Sequence, residues 1–206
     1  MKVLLVNGSP REKGCTYTAL TKVAEALGEC GVDSEIFWVG AKPVGGCMAC
    51  KFCRDHGQCV QNDKVNEFAA MAKDADGFVF GSPVHYAAIS GNMTSFMDRL
   101  FYSAGSTFRM KPAAGILSAR RGGTTAAFDQ INKYFTISQM PVVSSRYWNM
   151  VHGSKPEDVL ADEEGVACMR QLGKNMAYLL KCLEAGKNAG VAEPVQEPGV
   201  RTDFIR

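Results

Sequence analysis

Nowhere does an apolar run in this chain approach the roughly 18 residues that span a bilayer, which excludes a transmembrane helix. Neither sign of charge dominates. The 23 basic and 21 acidic side chains leave a formal net charge of +2, too little to provide a broad field for nucleic acid or a membrane surface. No signal-peptide pattern stands before the first strand, so a cytoplasmic, reducing setting is expected. In that setting the eight cysteines are thiols or metal ligands, not an extracellular disulfide scaffold. Internal repeats, low-complexity blocks and a second domain are all missing. So is a G-x-G-x-x-G fingerprint after the first strand, which argues against a dinucleotide Rossmann fold. No Ser-His-Asp order and no metal-hydrolase motif stands out, and no side chain is needed as nucleophile or general base.

What is present is alternation. The chain has 206 residues, 46% hydrophobic and 21% charged, which suits one sizeable α/β domain with a single core. Val3 to Val6 is a short apolar run closed by the turn signal Asn7-Gly8-Ser9-Pro10. From Thr16 the apolar residues Leu20, Val23, Ala24 and Leu27 recur with the helical period. Glu35–Val39, Gly77–Gly81, Ala113–Leu117 and a run starting at Pro141-Val142-Val143 read as strands two to five. Helices marked by Phe68, Phe96, Ile131 and Met176 lie between or after them. The stretch from Ser144 to Ala161 reads as irregular. The domain is expected to occupy residues 1–186, with 187–206 as a C-terminal arm lacking an apolar period. Five strands separated by helices predict an α/β fold, a doubly wound five-stranded parallel sheet with helices on both faces. The flavodoxin-like order 2-1-3-4-5 fits, and it puts the ligand outside the carboxyl ends of strands one and three.

Three loops leave that end of the sheet. Gly8-Ser9-Pro10-Arg11-Glu12-Lys13-Gly14-Cys15-Thr16 joins a buried strand to a helix, so its N–H groups can converge on an anion. Ser9 and Thr16 add hydroxyls, and Arg11 adds a planar fork suited to phosphate. The bland alternative is a polar turn with a Thr cap. In Ser82-Pro83-Val84-His85-Tyr86, Pro83 sets the backbone direction and Val84 to Tyr86 offer N–H groups to the edge of a flat heteroaromatic ring. Tyr86 is a candidate to stack on that ring; otherwise His85 and Tyr86 are plain loop residues. Ala119-Arg120-Arg121-Gly122-Gly123-Thr124 permits close backbone approach through its glycines. A guanidinium there would stabilise negative charge on a reduced flavin, the alternative being a solvated basic turn.

Four of the eight cysteines fall together, as Cys47-x2-Cys50-x2-Cys53-x5-Cys59, inside a loop at 45–60. Such spacing lets one loop aim three thiolates at a common centre, with the fourth closing a cubane iron–sulfur cluster. A structural zinc is a rival, although zinc sites more often use two separated C-x2-C pairs. Free thiols or an opportunistic disulfide are another. Cys30, Cys168 and Cys182 read as buried small hydrophobes on helical faces. The aromatic run Arg146 to Gly153 reads as a subunit interface in preference to a cover over a flavin.

As a set, Gly8-Ser9-Pro10-Arg11 with Gly14-x-Thr16, Gly81-Ser82-Pro83-Val84-x-Tyr86, and Arg120-Arg121-Gly122-Gly123-Thr124 resemble the flavodoxin-like NAD(P)H-dependent FMN reductase superfamily. Cys47, Cys50, Cys53 and Cys59 are similar to the compact cysteine motif of its iron–sulfur flavoprotein branch. The resemblance implies bound FMN, with Ser9, Arg11, Cys15 and Thr16 around the phosphate and Pro83 to Tyr86 along the isoalloxazine. It also implies a [4Fe-4S] cluster on the four cysteines and assembly into homodimers or homotetramers. Position 15 departs from the Asn or Ser frequent in the family; a cysteine there weakens a side-chain contact to phosphate. The expected function is an electron-transfer oxidoreductase fed by NAD(P)H or a reduced ferredoxin-like partner. The alternatives are an FMN or quinone reductase without a cluster and a non-catalytic flavin-carrying redox module.

Overall fold

The computed structural model describes residues 1–200 and 202. Its first strand, β1 (Lys2–Asn7), is buried from Val3 onward, as a strand covered on both faces must be. β1 pairs with β2 (Asp33–Trp38) on one side and with β3 (Gly77–His85) on the other, both parallel. β3 outruns the expected strand: it continues through Pro83 to His85, and a two-residue strand β4 (Ala88–Ile89) folds back against it antiparallel. β5 (Ala113–Ala119) and β6 (Met150–His152) complete the sheet in the order β2-β1-β3-β5-β6. With β4 set aside, this is the flavodoxin-like order expected from the sequence.

The last strand differs from its expectation. The chain meets β5 twice. Val143 donates its amide to the Ala113 carbonyl at 2.8 Å, and Val142 forms an isolated parallel bridge to Ala113. Residues 144–148 then leave the sheet, and β6 forms inside the stretch read as irregular. Asn149 bridges the interruption: its carbonyl accepts from the Leu117 amide at 2.9 Å while its Nδ2 donates to the Gly115 carbonyl at 3.1 Å. A buried amide side chain thus satisfies a carbonyl that the broken strand leaves unpaired.

Helices α1 (Cys15–Glu29), α6 (Pro156–Ala161) and α7 (Glu163–Asn188) cover one face of the sheet with an aliphatic core. α7 lies close on α1 because residue 173 is glycine; a Cβ there would stand 2.7 Å from the Val23 carbonyl oxygen. The other face carries α3 (Lys64–Met71), α4 (Gly91–Ala104) and α5 (Thr124–Ile137) over a phenylalanine cluster. Phe68 is its hub, with the rings of Phe37, Phe78, Phe80 and Phe96 between 5.1 and 6.2 Å away, mostly tilted or edge-on as ring quadrupoles prefer. A short α2 (Phe52–His56) sits within the cysteine loop. α7 runs two residues past the expected boundary at 186, and residues 189–200 carry neither helix nor strand. Residues 201 and 203–206 of the expected arm lie outside the described residues. Of the three outlying cysteines only Cys168 is buried; Cys30 is half-buried just after α1, and Cys182 is exposed. Among the described residues no helix is long and apolar enough to cross a membrane.

Candidate functional site

Where β1 ends, Asn7 winds the chain into a tight loop. Its Oδ1 accepts from the Ser9 amide at 3.1 Å and its Nδ2 donates to the Glu12 carbonyl at 2.8 Å. Ser9 Oγ in turn accepts from the Arg11 amide, and the Trp38 indole donates to the Ser9 carbonyl at 2.8 Å. Gly8 ties the loop to the next strand by donating to the Gly81 carbonyl at 2.8 Å. The helix that follows is capped by Gly14, which makes no side-chain bond to the first-turn amides. Those amides and the positive end of the helix dipole form a ready anion site.

A polar cleft of about 420 Å³ opens at this point, a size suited to a cofactor. Ser9, Arg11, Cys15 and Thr16 line it from the first loop, Pro83, Val84 and His85 from β3, and Arg120 from the end of β5. Three segments far apart in sequence therefore meet in one place. Four expected residues do not line it: Tyr86, Arg121, Gly122 and Gly123. Tyr86 and Ala87 form the hairpin turn between β3 and β4, with φ of 50° and 61°, and the Tyr86 ring is fully exposed at its tip. Gly123 caps α5 at φ 94°, where a Cβ would meet the Ala87 Cα at 2.9 Å. That glycine makes room for the hairpin instead of for a ligand. Arg121 and Gly122 lie on the exposed side of the same turn.

Sequence reasoning missed Ser118, Gly153 and Ser154, which also line the cleft. Ser118 ended a strand at the right end of the sheet, and that was the available signal. Its hydroxyl lies 2.8 Å from the Thr16 hydroxyl in a buried contact, joining α1 to β5 across the floor of the cleft. Gly153 and Ser154 arrive only because β6 forms. The Cys15 thiol donates to the Gly153 carbonyl at 3.6 Å, and burial pushes its pKa up, so a neutral thiol faces the anion site without repelling it.

The cysteine loop follows the carboxyl end of β2, and its pocket lies beside α4. All four of Cys47, Cys50, Cys53 and Cys59 line one small pocket whose inner wall is Arg99, Tyr102 and Ser103 of α4. Arg99 lies nine residues beyond the cap Ser90, about 13 Å along the helix axis. Among the described residues none lines both pocket and cleft. Ala49 and Lys51, with φ of 53° and 61°, hold Cys50 between two left-handed residues. No described cysteine is in a disulfide, and among the described residues no three His, Cys, Asp or Glu side chains converge tightly enough for a single metal ion.

Arg99 is only 1% exposed. Its Nη1 and Nη2 donate to the two Asp63 carboxylate oxygens at 2.6 and 2.9 Å, and further bonds reach the Gly45 and Gln61 carbonyls at 3.3 and 2.8 Å. Its Nε donates to Cys59 Sγ at 3.2 Å. Burial by itself lowers the pKa of such a group, but the bonds to Asp63 and Cys59 outweigh it and hold the guanidinium charged. Ser103 Oγ is buried with no hydrogen-bond partner among the described residues.

A doubly wound sheet in this strand order, with a polar cleft at its carboxyl end, defines a flavodoxin-like protein. The sequence pattern of the NADPH-dependent FMN reductase family matches residues 1–155, and the chain belongs to that family of flavoprotein oxidoreductases. It is 31% identical over 192 residues to an iron–sulfur flavoprotein of Methanocaldococcus jannaschii, covering 89% of this chain and 100% of that one. To an iron–sulfur flavoprotein of Methanosarcina thermophila it is 23% identical over 194 residues, covering 91% and 100%. A solved flavodoxin from the domain Archaea shares the fold, with a TM-score of 0.59 at 19% identity over 88% of this chain and 99% of that one.

Proposed function

We propose that this chain is an electron-transfer oxidoreductase that carries FMN in the cleft and a [4Fe-4S] cluster on Cys47, Cys50, Cys53 and Cys59. The observation that carries this reading is that all four cysteines line one pocket, in a chain whose separate cleft joins a helix terminus without a side-chain cap to Ser9 and Arg11. A tetrahedral zinc with bonds of about 2.3 Å needs its sulfurs about 3.8 Å apart, whereas a cubane seats each thiolate on its own iron and holds them wider. Ser103 offers a buried hydroxyl that has no partner among the described residues.

In the cleft, the first-turn amides of α1 with Ser9, Arg11 and Thr16 are the residues to hold a phosphate. Pro83, Val84 and His85, which line the cleft, are the proposed flank of the ring, and Arg120 the proposed counter to negative charge at the rim. When bound, the flavin supplies two-electron chemistry and the cluster one-electron chemistry, which lets a hydride donor serve single-electron acceptors. NAD(P)H is the proposed donor, with a reduced ferredoxin-like protein or a quinone as the other partner class. The four thiols require a reducing compartment such as the cytoplasm. The exposed Tyr147 and Trp148, at 55% and 51%, are the proposed contact with a second copy in a homodimer or homotetramer.

Anaerobic purification followed by absorption spectroscopy and analysis of FMN, iron and acid-labile sulfide tests this reading. The expected outcome is a brown protein with stoichiometric FMN and four irons and four sulfides per chain. Colourless protein that refuses FMN on reconstitution would end the case for the cleft. FMN without iron would leave the cluster-free reductase. Turnover of NADPH with an artificial acceptor separates both from a non-catalytic flavin carrier.

A further inference from the structure

We infer that Arg99 is the tuning and positioning residue of the cysteine site, setting the reduction potential of the group that the four thiolates hold. The inference rests on the cluster reading above and concerns a residue outside the cysteine motif. The geometry is specific. The guanidinium reaches both ends of the loop at once, through Gly45 at its start and Gln61 and Asp63 at its close. Cys47, Cys50 and Cys53 lie between those anchors, so fixing them fixes the span in which the thiols must meet.

The same group then turns its one remaining donor, Nε, onto Cys59 Sγ at 3.2 Å. Hydrogen bonds to cluster sulfurs and the net charge around a cluster are the main levers a protein has on its potential. Adding one electron makes the site one unit more negative, and a fixed neighbouring cation favours that state. Arg99 cannot swing away, because Asp63 clamps it from the opposite side and the side chain is buried. Lys51, the other cation lining the pocket, is exposed and screened by solvent.

Asp63 makes the inference testable by sign. Arg99→Gln leaves a carboxylate near the cluster and removes the cation, so the potential should fall. Asp63→Asn leaves the cation unopposed, so the potential should rise, while asparagine keeps the capping bond that Asp63 Oδ1 now accepts from the Val65 amide at 3.1 Å. A role confined to holding the loop in shape would not move the two variants in opposite directions.

The experiment is a redox titration of anaerobically purified, iron-loaded protein, with dithionite as reductant and the cluster followed by electron paramagnetic resonance. FMN content reports folding. The expected result is at least a tenfold change in the reduced-to-oxidised ratio at fixed potential, downward for Arg99→Gln and upward for Asp63→Asn; tenfold corresponds to 59 mV for one electron. If Arg99→Gln fails to hold iron, Asp63→Asn decides alone: an upward shift supports the inference, and no shift or a downward one overturns it. Loaded wild type with both variants at its potential sinks the inference and leaves the cluster standing. Wild type without iron sinks both.

Discussion

The cleft at the carboxyl end of the sheet is walled by the ends of β1, β3, β5 and β6, whereas the pocket beside α4 is walled by a loop outside the sheet. The first is made of backbone that the core already holds. Its floor contact, Thr16 to Ser118, joins two buried residues, and its hairpin wall belongs to a strand of the main sheet. The second is made of mostly exposed chain with Cys47 and Cys50 open to solvent, two left-handed residues, and one buried guanidinium as its anchor. A site built from strand ends keeps its shape with or without its ligand. A site built from a pinned loop depends on the pin and on what it binds.

The two sites should therefore fail independently, and the largest effect is expected at the loop. Cys50→Ala should abolish iron binding while the flavin spectrum persists; retained stoichiometric iron would count against cysteine ligation. Next comes Ser9→Ala combined with Arg11→Ala. The pair removes one charge-assisted contact worth about 1.5–3 kcal/mol and one hydroxyl contact worth about 0.5–1.5 kcal/mol, so FMN should bind about 100-fold more weakly. Iron should stay. Equal loss of iron in that double variant, measured by metal analysis, would show that the sites are coupled and not separate.

Gly123→Val strikes the contact between two walls of the cleft. Residue 123 has φ 94°, and a Cβ would stand 2.9 Å from the Ala87 Cα. Left-handed strain alone costs about 1–3 kcal/mol, which lowers the melting temperature by about 2–12 °C in a domain of this size. FMN affinity should fall with it and the iron content should not. A melting curve that superimposes on wild type would mean that the hairpin does not rest on this glycine.

What the sequence disclosed follows the same division. Short apolar strands, helical periods and glycine-rich turns are local signals, and they sufficed for the strand order and for three of the four segments around the cleft. The fourth, Gly153 and Ser154, needs a strand whose pairing with β5 is interrupted and rescued by Asn149, and no local pattern announces that. Tyr86 reads as a candidate stacking ring because a flat heteroaromatic needs an aromatic face against it; the hairpin that turns it outward depends on Val84 and His85 pairing with Ile89 and Ala88. The cysteine spacing was legible at once. Arg99, 40 residues beyond Cys59, was not, since an arginine in an amphipathic helix looks solvated until a loop is folded over it. Cys182 erred the opposite way: its helical face is real, but α7 presents it to solvent.

The smallest expected effect is also the most direct comparison of the two constructions. Ala87 in the hairpin and Lys51 in the cysteine loop both hold φ near 61° without being glycine. Replacement by glycine relieves strain of about 1–3 kcal/mol but loosens the unfolded chain by about 0.4–1 kcal/mol, a net gain of about 1 kcal/mol. For Ala87→Gly that gain belongs to a turn between paired strands, so it should appear in global unfolding as a rise of about 2–4 °C in Tm. Lys51 lies in exposed chain that can open without the core, so Lys51→Gly in metal-free protein should leave the main transition where it was. Thermal melts of the two variants side by side give the answer. Equal rises in both would mean that the cysteine loop unfolds with the sheet and is as much a part of the scaffold as the cleft.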